Sequence, residues 1–341
     1  MTFARRLGLC FAFVVVLVVL RATSAEALSV QPTDWSSSIT SISPSAEAVS
    51  IEVVAGGEAV RLTAQPGHTV VVLGYQNESY LRITSEGEVQ ANDRSPTFWA
   101  NKSATGTGSV PATADTNAEP EWTTIATDGS MLWHDHRAHA MPGIATATNW
   151  TILLTVDGLP VVVRGELTRA PAHAPLLEFI LAILSAALVV VLGFRWAWRT
   201  STLALLVGSI LSFIVSVGGW FSAPAGFLHP WLHLLVAMLA TVLAVGSSLL
   251  SRASSRLRVM VLLAATAALG WWVALNLPSL IAAFIPNSLS ANIVRFVIAL
   301  GGGIVVGVAV IIVMSGGFAD LATQNQAVVG NESEAGSVSG L

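Results

Sequence analysis

The chain has 341 residues, of which 53% are hydrophobic and only 11% are charged, and its formal net charge is −4. Ordinary soluble domains carry about 25% charged residues, so this composition and a mean hydropathy of +0.70 exclude a wholly soluble protein. The lack of excess basic residues also excludes a nucleic-acid partner. Cys10 is the only cysteine and lies in a segment that we expect to be removed. We therefore expect the mature protein to have no disulfide, thiolate metal site or cysteine nucleophile.

The first 27 residues have the organisation of a signal peptide. Arg5 and Arg6 precede the apolar run Leu7–Leu20, which is shorter than the about 20 residues that a bilayer span needs. Ala25-Glu26-Ala27 then offers a small-x-small cleavage site. We expect residues 1–27 to be removed and the remainder of the chain to be exported; an uncleaved N-terminal anchor is the alternative.

Residues 28–168 are predicted to form an extracytoplasmic all-β domain. The segment contains short alternating or β-branched runs separated by turn residues, and it lacks helical periodicity. Asp157-Gly158 lies between two such runs and is a strong hairpin signal. Short strands with frequent turns favour an Ig-like antiparallel sandwich. Residues 169–175, which contain three alanines and two prolines, are predicted to be a linker.

Residues 176–314 are predicted to form an all-α transmembrane bundle of five spans. Each of five apolar runs is long enough to cross a bilayer. The five runs are Leu176–Phe194, Leu203–Phe221, Phe227–Leu250, Val259–Leu277 and Ile293–Met314.

The short loops of this bundle predict its orientation. Five arginines follow the first and third spans and fall on one side of a five-span bundle, which the positive-inside rule makes cytoplasmic. An exported N-terminal domain requires the same orientation. We therefore expect a multi-pass protein of the cell membrane with a disordered cytoplasmic tail at residues 315–341. The arginines are Arg195, Arg199, Arg252, Arg256 and Arg258.

A histidine-rich motif near the end of the β region carries the main chemical signal. His134 and His136 face one way on an extended strand, whereas His139 and Met141 face the other way. A turn at Arg137-Ala138 would bring all four side chains together. Imidazole and thioether ligands suit copper, and three histidines with an open position for water would suit zinc. The motif therefore predicts a metal site, with copper as the expected ion and zinc as the alternative.

The same motif also has a structural interpretation and a catalytic one. Asp135 can orient an imidazole and pair with Arg137 in a buried hydrogen-bond network, with Trp133 in the core and Met141 filling a gap. A zinc hydrolase with Asp135 or a nearby glutamate as the base is a third hypothesis.

A second histidine pair lies at the start of the third predicted span. His229 and His233 are four residues apart and are expected to share a helical face. Their functional interpretation is a site that receives metal from the exported domain. The alternative is an interfacial aromatic belt with Trp231, Trp220 and Phe227.

The segment Trp150–Gly165 (WTILLTVDGLPVVVRG) resembles the closing hairpin of the periplasmic copper-resistance β-sandwich family. That family often continues into a multi-pass copper-transport-like membrane domain, which implies the same layout here. It places copper-binding histidines after its Asp-Gly turn and at the mature N-terminus. The corresponding residues are Leu159 and Leu28, so neither ligand carries over. With its Trp133–Arg137 motif (Trp-His-Asp-His-Arg), the chain also resembles actinobacterial multi-pass membrane proteins that carry this motif.

These patterns predict a non-enzymatic, membrane-anchored protein that handles a metal ion outside the cytoplasm, with the lipid bilayer as its other partner. The sequence has no nucleotide-binding loop and no redox dithiol, so ATP-driven transport and thiol exchange by this chain are not expected. The alternative is an envelope interaction protein that binds a protein partner and uses the histidine motif to stabilise its fold.

Overall fold

The computed structural model describes most of the chain between residues 30 and 314. The predicted signal peptide at residues 1–27 and the predicted cytoplasmic tail at residues 315–341 lie outside the described residues. The described ranges are 30–103, 109–141, 143–144, 146–250 and 254–314.

The chain folds into two compact units. The first, which we call the β domain, contains Trp35–Ala170 together with Pro224–Leu228. The second, which we call the helical unit, contains Gln31–Asp34, Pro171–Ala223 and the described residues from His229 onward.

Ten strands of the β domain form two antiparallel sheets. The larger sheet has seven strands in the order β1-β10-β9-β4-β5-β6-β7, and the smaller sheet has the order β2-β3-β8. The strands are β1 (Trp35–Ser43), β2 (Val49–Val54), β3 (Ala59–Ala64), β4 (Val70–Leu73), β5 (Ser79–Ile83), β6 (Val89–Asn92), β7 (Trp122–Ala126), β8 (Ser130–Trp133), β9 (Thr148–Val156) and β10 (Leu159–Arg169).

The two sheets share one apolar core, which makes the domain sandwich-like. Alternate residues along each strand point inward, and fully buried side chains come from both sheets, such as Leu62 of β3 and Ile152 of β9. The predicted hairpin at Asp157-Gly158 is confirmed, since β9 and β10 pair directly on either side of it. The seven-and-three division of strands differs from the four-and-three division of the Ig constant-type fold, so only the two-sheet β architecture is confirmed.

Within the described residues, the β domain has one short α-helix and the helical unit has four long ones. All four long helices are apolar and long enough to cross a membrane. The short helix is α1 (Pro96–Ala100), and the long helices are α2 (Leu176–Ser222), α3 (Trp231–Leu249), α4 (Ser255–Asn276) and α5 (Ala291–Met314).

The prediction of five separate spans differs from this count of four. The first two predicted spans both lie in α2, which has 47 residues and only one non-helical residue, Trp196, at φ −143° and ψ 53°. The sequence Arg195–Thr202 contains neither proline nor glycine, and these are the residues that end helices most strongly. Helical structure therefore continues on both sides of the bend.

Small residues allow helices of the helical unit to approach closely. Gly303 of α5 lies against Ala182 and Ser185 of α2, where an added Cβ would collide with both residues. Close backbone approach at glycine is a common mode of helix packing in membranes. Deeper in the unit, the Trp272 indole N–H donates to Ser216 Oγ over 2.8 Å, so a buried polar pair also connects α4 with α2.

Candidate metal centre

The pairing of β3 with β8 brings a glutamate and a histidine together. Val60 is opposite Trp133 in this antiparallel pair, so Glu58, just before β3, meets His134, just after β8. His134 Nδ1 lies 2.7 Å from the Glu58 carbonyl oxygen. A carbonyl can only accept a hydrogen bond, so neutral His134 carries its proton on Nδ1 and presents a lone pair on Nε2.

A turn after β8 returns a second histidine to the same place. The Ala138 N–H donates to the Asp135 carbonyl over 3.0 Å, and the chain reverses as the sequence predicts for Arg137-Ala138. The ring of His139 then lies 4.5 Å, centroid to centroid, from the ring of His134. His139 Nδ1 is 3.7 Å from Glu58 Oε2.

Glu58, His134 and His139, which we call the Glu-His-His cluster, each direct one ligand atom to a common point. These three atoms all lie within 4.8 Å of one another. His134 is only 2% exposed, and the other two side chains are half-buried. A carboxylate and two imidazoles in this arrangement can coordinate one metal ion.

Burial shifts the acid–base properties of the cluster. Burial raises the pKa of Glu58 to about 7. Burial also lowers the pKa of His139 to about 4, and the neighbouring His134 and His136 lower it further. At neutral pH the His139 imidazole is therefore uncharged, which is the form that coordinates a metal.

His136 lies next to the cluster without belonging to it. Its ring centroid is 5.1 Å from that of His134, and its Nε2–H donates to the Ser103 carbonyl over 2.8 Å. The His136 ring also stacks on Tyr75 at a centroid distance of 6.3 Å. The structure thus brings the three predicted imidazoles close together but directs only two of them to the common point.

The alternating residues of the motif form a separate hydrogen-bond network. Asp135 is fully buried and accepts hydrogen bonds from Arg137 Nε at 2.9 Å and Arg137 Nη2 at 2.8 Å. It also accepts a hydrogen bond from the Trp133 indole N–H at 2.9 Å. This is the pairing of Asp135 with Arg137 that the structural interpretation predicts. Within the Trp133–Arg137 motif, Trp133, Asp135 and Arg137 therefore form a structural network, whereas His134 between them belongs to the Glu-His-His cluster.

Met141 follows the cluster by two residues and is half-buried. Its backbone N–H donates to the His139 carbonyl over 3.1 Å. Glu58, which was not predicted from the sequence, supplies the third ligand atom of the convergent group, and Met141 as a ligand stays a prediction.

His229 and His233 do not share a helical face, so this expectation is wrong. Helix α3 begins at Trp231, and His229 lies before it with its ring stacked on Trp220 at 4.3 Å. The cause is Pro230, since the residue before a proline is disfavoured in the α conformation. His229 Nδ1–H donates to the Trp220 carbonyl over 3.0 Å, which resembles the predicted interfacial interpretation more than a paired ligand site.

Sequence reasoning missed Glu58 because its contact with His134 is non-local. The two residues are 76 positions apart, and only the register of β3 against β8 joins them. A local signal existed in Ala55-Gly56-Gly57, where all three residues have positive φ. A Cβ on Gly57 would lie 2.8 Å from the Ala138 carbonyl oxygen. Glycine thus allows the loop before Glu58 to approach the turn that carries His139.

Comparisons with known proteins assign no role to this site. No protein-family model, curated protein or solved structure matches the chain. The function must therefore be argued from the geometry of the site itself.

Proposed function

We propose that the β domain binds a divalent transition-metal ion through the Glu-His-His cluster and that the helical unit anchors this domain at the membrane. The observation that carries the proposal is the convergence of three ligand atoms within 4.8 Å. They come from the start of β3, the end of β8 and the turn that follows β8. Chance clusters of acidic groups occur at exposed surfaces, whereas this one includes an almost fully buried imidazole.

The donor set favours zinc over Cu(I). Zinc is borderline in softness and is commonly bound by imidazole nitrogen and carboxylate oxygen. The expectation of copper depended on a thioether ligand, because soft sulfur favours Cu(I). Cu(II) also accepts imidazole and carboxylate ligands, so copper remains the second ion to test.

The proposed anchor crosses the membrane five times, because the two halves of α2 run in opposite directions. In the first half of α2, residues further along the chain contact residues further along α5, so this half is parallel to α5. In the second half, residues further along the chain contact residues that come earlier, in α5 or just before it, so this half is antiparallel to α5. A 47-residue helix would also be about 70 Å long if straight, against a hydrocarbon core of about 30 Å. The contacts of the first half of α2 are Val189 with Gly307 and Gly193 with Ile311, and those of the second half are Gly208 with Ile304 and Gly218 with Asn287.

The orientation that we propose places the β domain outside the cytoplasm. Arg195 and Arg199 follow the first half of α2, and Arg258 follows the third crossing. All three then lie on the cytoplasmic side, as the positive-inside rule requires.

Metal titration of the full chain in lipid nanodiscs tests the proposal. We expect one Zn²⁺ or Cu²⁺ per chain, with Zn²⁺ at least as tight as Cu⁺. Glu58→Gln, His134→Ala and His139→Ala should each weaken binding by about tenfold or more, because each removes one of three ligands. His68→Ala is the matched control, since His68 is an exposed histidine of the same domain that pairs with Asp157.

The alternative is an envelope interaction protein in which the motif only stabilises the fold, and the network around Asp135 favours it. Asp135→Asn, which leaves Arg137 without its carboxylate, should destabilise the domain by about 3–5 kcal/mol. If the wild type binds no metal, and the histidine variants unfold as Asp135→Asn does, the metal proposal is wrong and the structural alternative holds.

A further inference from the structure

A cavity opens at the edge of the sandwich, and we call it the edge cavity. It has a volume of about 350 Å³ and is lined by residues from β5, β6, α1, β7 and β8. β7 is the last strand of the larger sheet and β8 the last strand of the smaller one. The cavity therefore lies where the two sheets end, and it falls within the 300–1,000 Å³ range that is typical of small-molecule sites.

The walls of the edge cavity are mainly apolar and aromatic. Leu81, Val89, Phe98, Ile125 and Trp133 are among the lining residues. Ile125 is 55% exposed although it is a large apolar side chain. An apolar surface of this kind favours an apolar ligand, because burial removes about 25 cal/mol of unfavourable hydration per Å².

One cationic side chain lies at the edge cavity. Lys102 is the only lysine in the chain, and it lines the cavity together with Asn101 and His134. Its Nζ atom is 4.2 Å from the ring centroid of Phe98 and 3.9 Å from that of Trp99. These cation–π contacts hold the ammonium group over the aromatic wall. Among the described residues, no carboxylate forms a salt bridge with Lys102.

Asn101 is already engaged within the protein. Its side-chain oxygen accepts a hydrogen bond from the Tyr75 hydroxyl, and its amide donates to the Tyr80 hydroxyl over 3.2 Å. Lys102 is therefore the cavity group best suited to pair with a charged ligand.

We propose that the edge cavity binds an amphiphilic carboxylate, whose apolar chain fills the cavity and whose head group pairs with Lys102. At about 30 Å³ per unit, the volume of one liquid water molecule, 350 Å³ accommodates about ten to twelve methylene-sized groups. A medium-chain fatty acid has about this size, and its single negative charge complements the charge of Lys102. The edge cavity shares His134 with the Glu-His-His cluster, whereas Lys102 lies outside that cluster, so variants of Lys102 test the inference without changing a proposed metal ligand.

Binding of radiolabelled dodecanoate to the full chain in nanodiscs tests the inference, with empty nanodiscs as the background. We expect saturable one-to-one binding that Lys102→Gln weakens about fivefold, as the loss of one partly exposed ion pair implies. Lys102→Arg should retain binding, since it keeps the positive charge. Ala126→Trp should abolish binding by filling the cavity, and His68→Ala should leave binding unchanged.

Neutral dodecanol distinguishes head-group recognition from simple partition. It should compete about fivefold more weakly than dodecanoate for the wild type and equally well for Lys102→Gln. Binding no greater than the nanodisc background would overturn the inference. Equal binding of acid and alcohol, or binding that is the same in Lys102→Gln and Lys102→Arg, would overturn it as well. Lys102 is exposed, so its variants are expected to fold, and the test does not depend on the fold of Ala126→Trp.

Discussion

Two glutamates of the β domain, the half-buried Glu58 and the buried Glu78, have pKa values shifted in opposite directions. Burial raises the pKa of Glu58 to about 7. Burial also acts to raise the pKa of Glu78, but hydrogen bonds outweigh it and the pKa falls below the ordinary value. Glu78 accepts hydrogen bonds from the Thr97 and Ser95 hydroxyls at 2.6 and 2.9 Å, and from the Gln76 N–H at 3.0 Å. The environment thus keeps Glu78 ionised at neutral pH, whereas Glu58 titrates near neutral pH.

Glu78 should make the β domain sensitive to acid. Its pKa is lower in the folded state than in the unfolded state, so its contribution is present above the unfolded pKa and is lost as the pH falls through the folded value. We expect Glu78→Gln to reduce the free energy of unfolding by about 1–3 kcal/mol at pH 7 and by much less at pH 3. Urea denaturation at both pH values measures this. A difference between wild type and variant that is the same at both pH values would contradict the prediction.

At the scale of the element, strand pairing explains which part of the site could be predicted from the sequence. His134 and His139 were predictable because one local turn joins them. Glu58 was not, because nothing local encodes the register of β3 against β8. The expectation that His229 and His233 share a helical face was wrong for a local reason, since Pro230 lies between them and helix α3 begins only at Trp231.

Composition predicted the positions of the long helices better than it predicted how many separate helices form. All five apolar runs lie within helices or overlap them, because long apolar sequences without charges have few alternatives in a bilayer. The bend of α2 at Trp196 could not be predicted as a short interruption within one helix, since Arg195, Ala197 and Arg199 around it are good helix formers.

Five crossings place Ser290, between α4 and α5, on the same side of the membrane as the β domain. Four crossings would place it on the opposite side. We expect single-cysteine variants Ser290→Cys and Ala112→Cys, both in a Cys10→Ser background, to react equally with a membrane-impermeant maleimide in intact cells. Labelling of Ala112→Cys alone would favour four crossings. Thr200→Cys, at the bend of α2, is the internal control and should react only after the cells are lysed.

At the scale of the whole molecule, the two compact units divide the functions that we propose. The Glu-His-His cluster and the edge cavity both belong to the β domain, whereas the long apolar helices belong to the helical unit. A ligand that binds only the folded β domain should therefore stabilise that unit alone.

Zinc should raise the melting temperature of the β domain and leave that of the helical unit unchanged. At a free zinc concentration 100 times the Kd, the stabilisation is about 2.7 kcal/mol, which corresponds to about 10 °C for a domain of this size. Infrared amide I bands separate the loss of sheet from the loss of helix during heating. An unchanged sheet transition in the wild type, or an equal rise in His139→Ala, would be contrary to the proposal.

The 76-residue separation between Glu58 and His134 has a consequence for where the metal is acquired. In an unfolded chain these two ligands lie far apart, and the neighbouring His134 and His139 supply only two of the three ligands. The three ligands meet only after β3 and β8 have paired. Under the proposed function, the protein therefore takes its ion from the compartment in which the β domain folds.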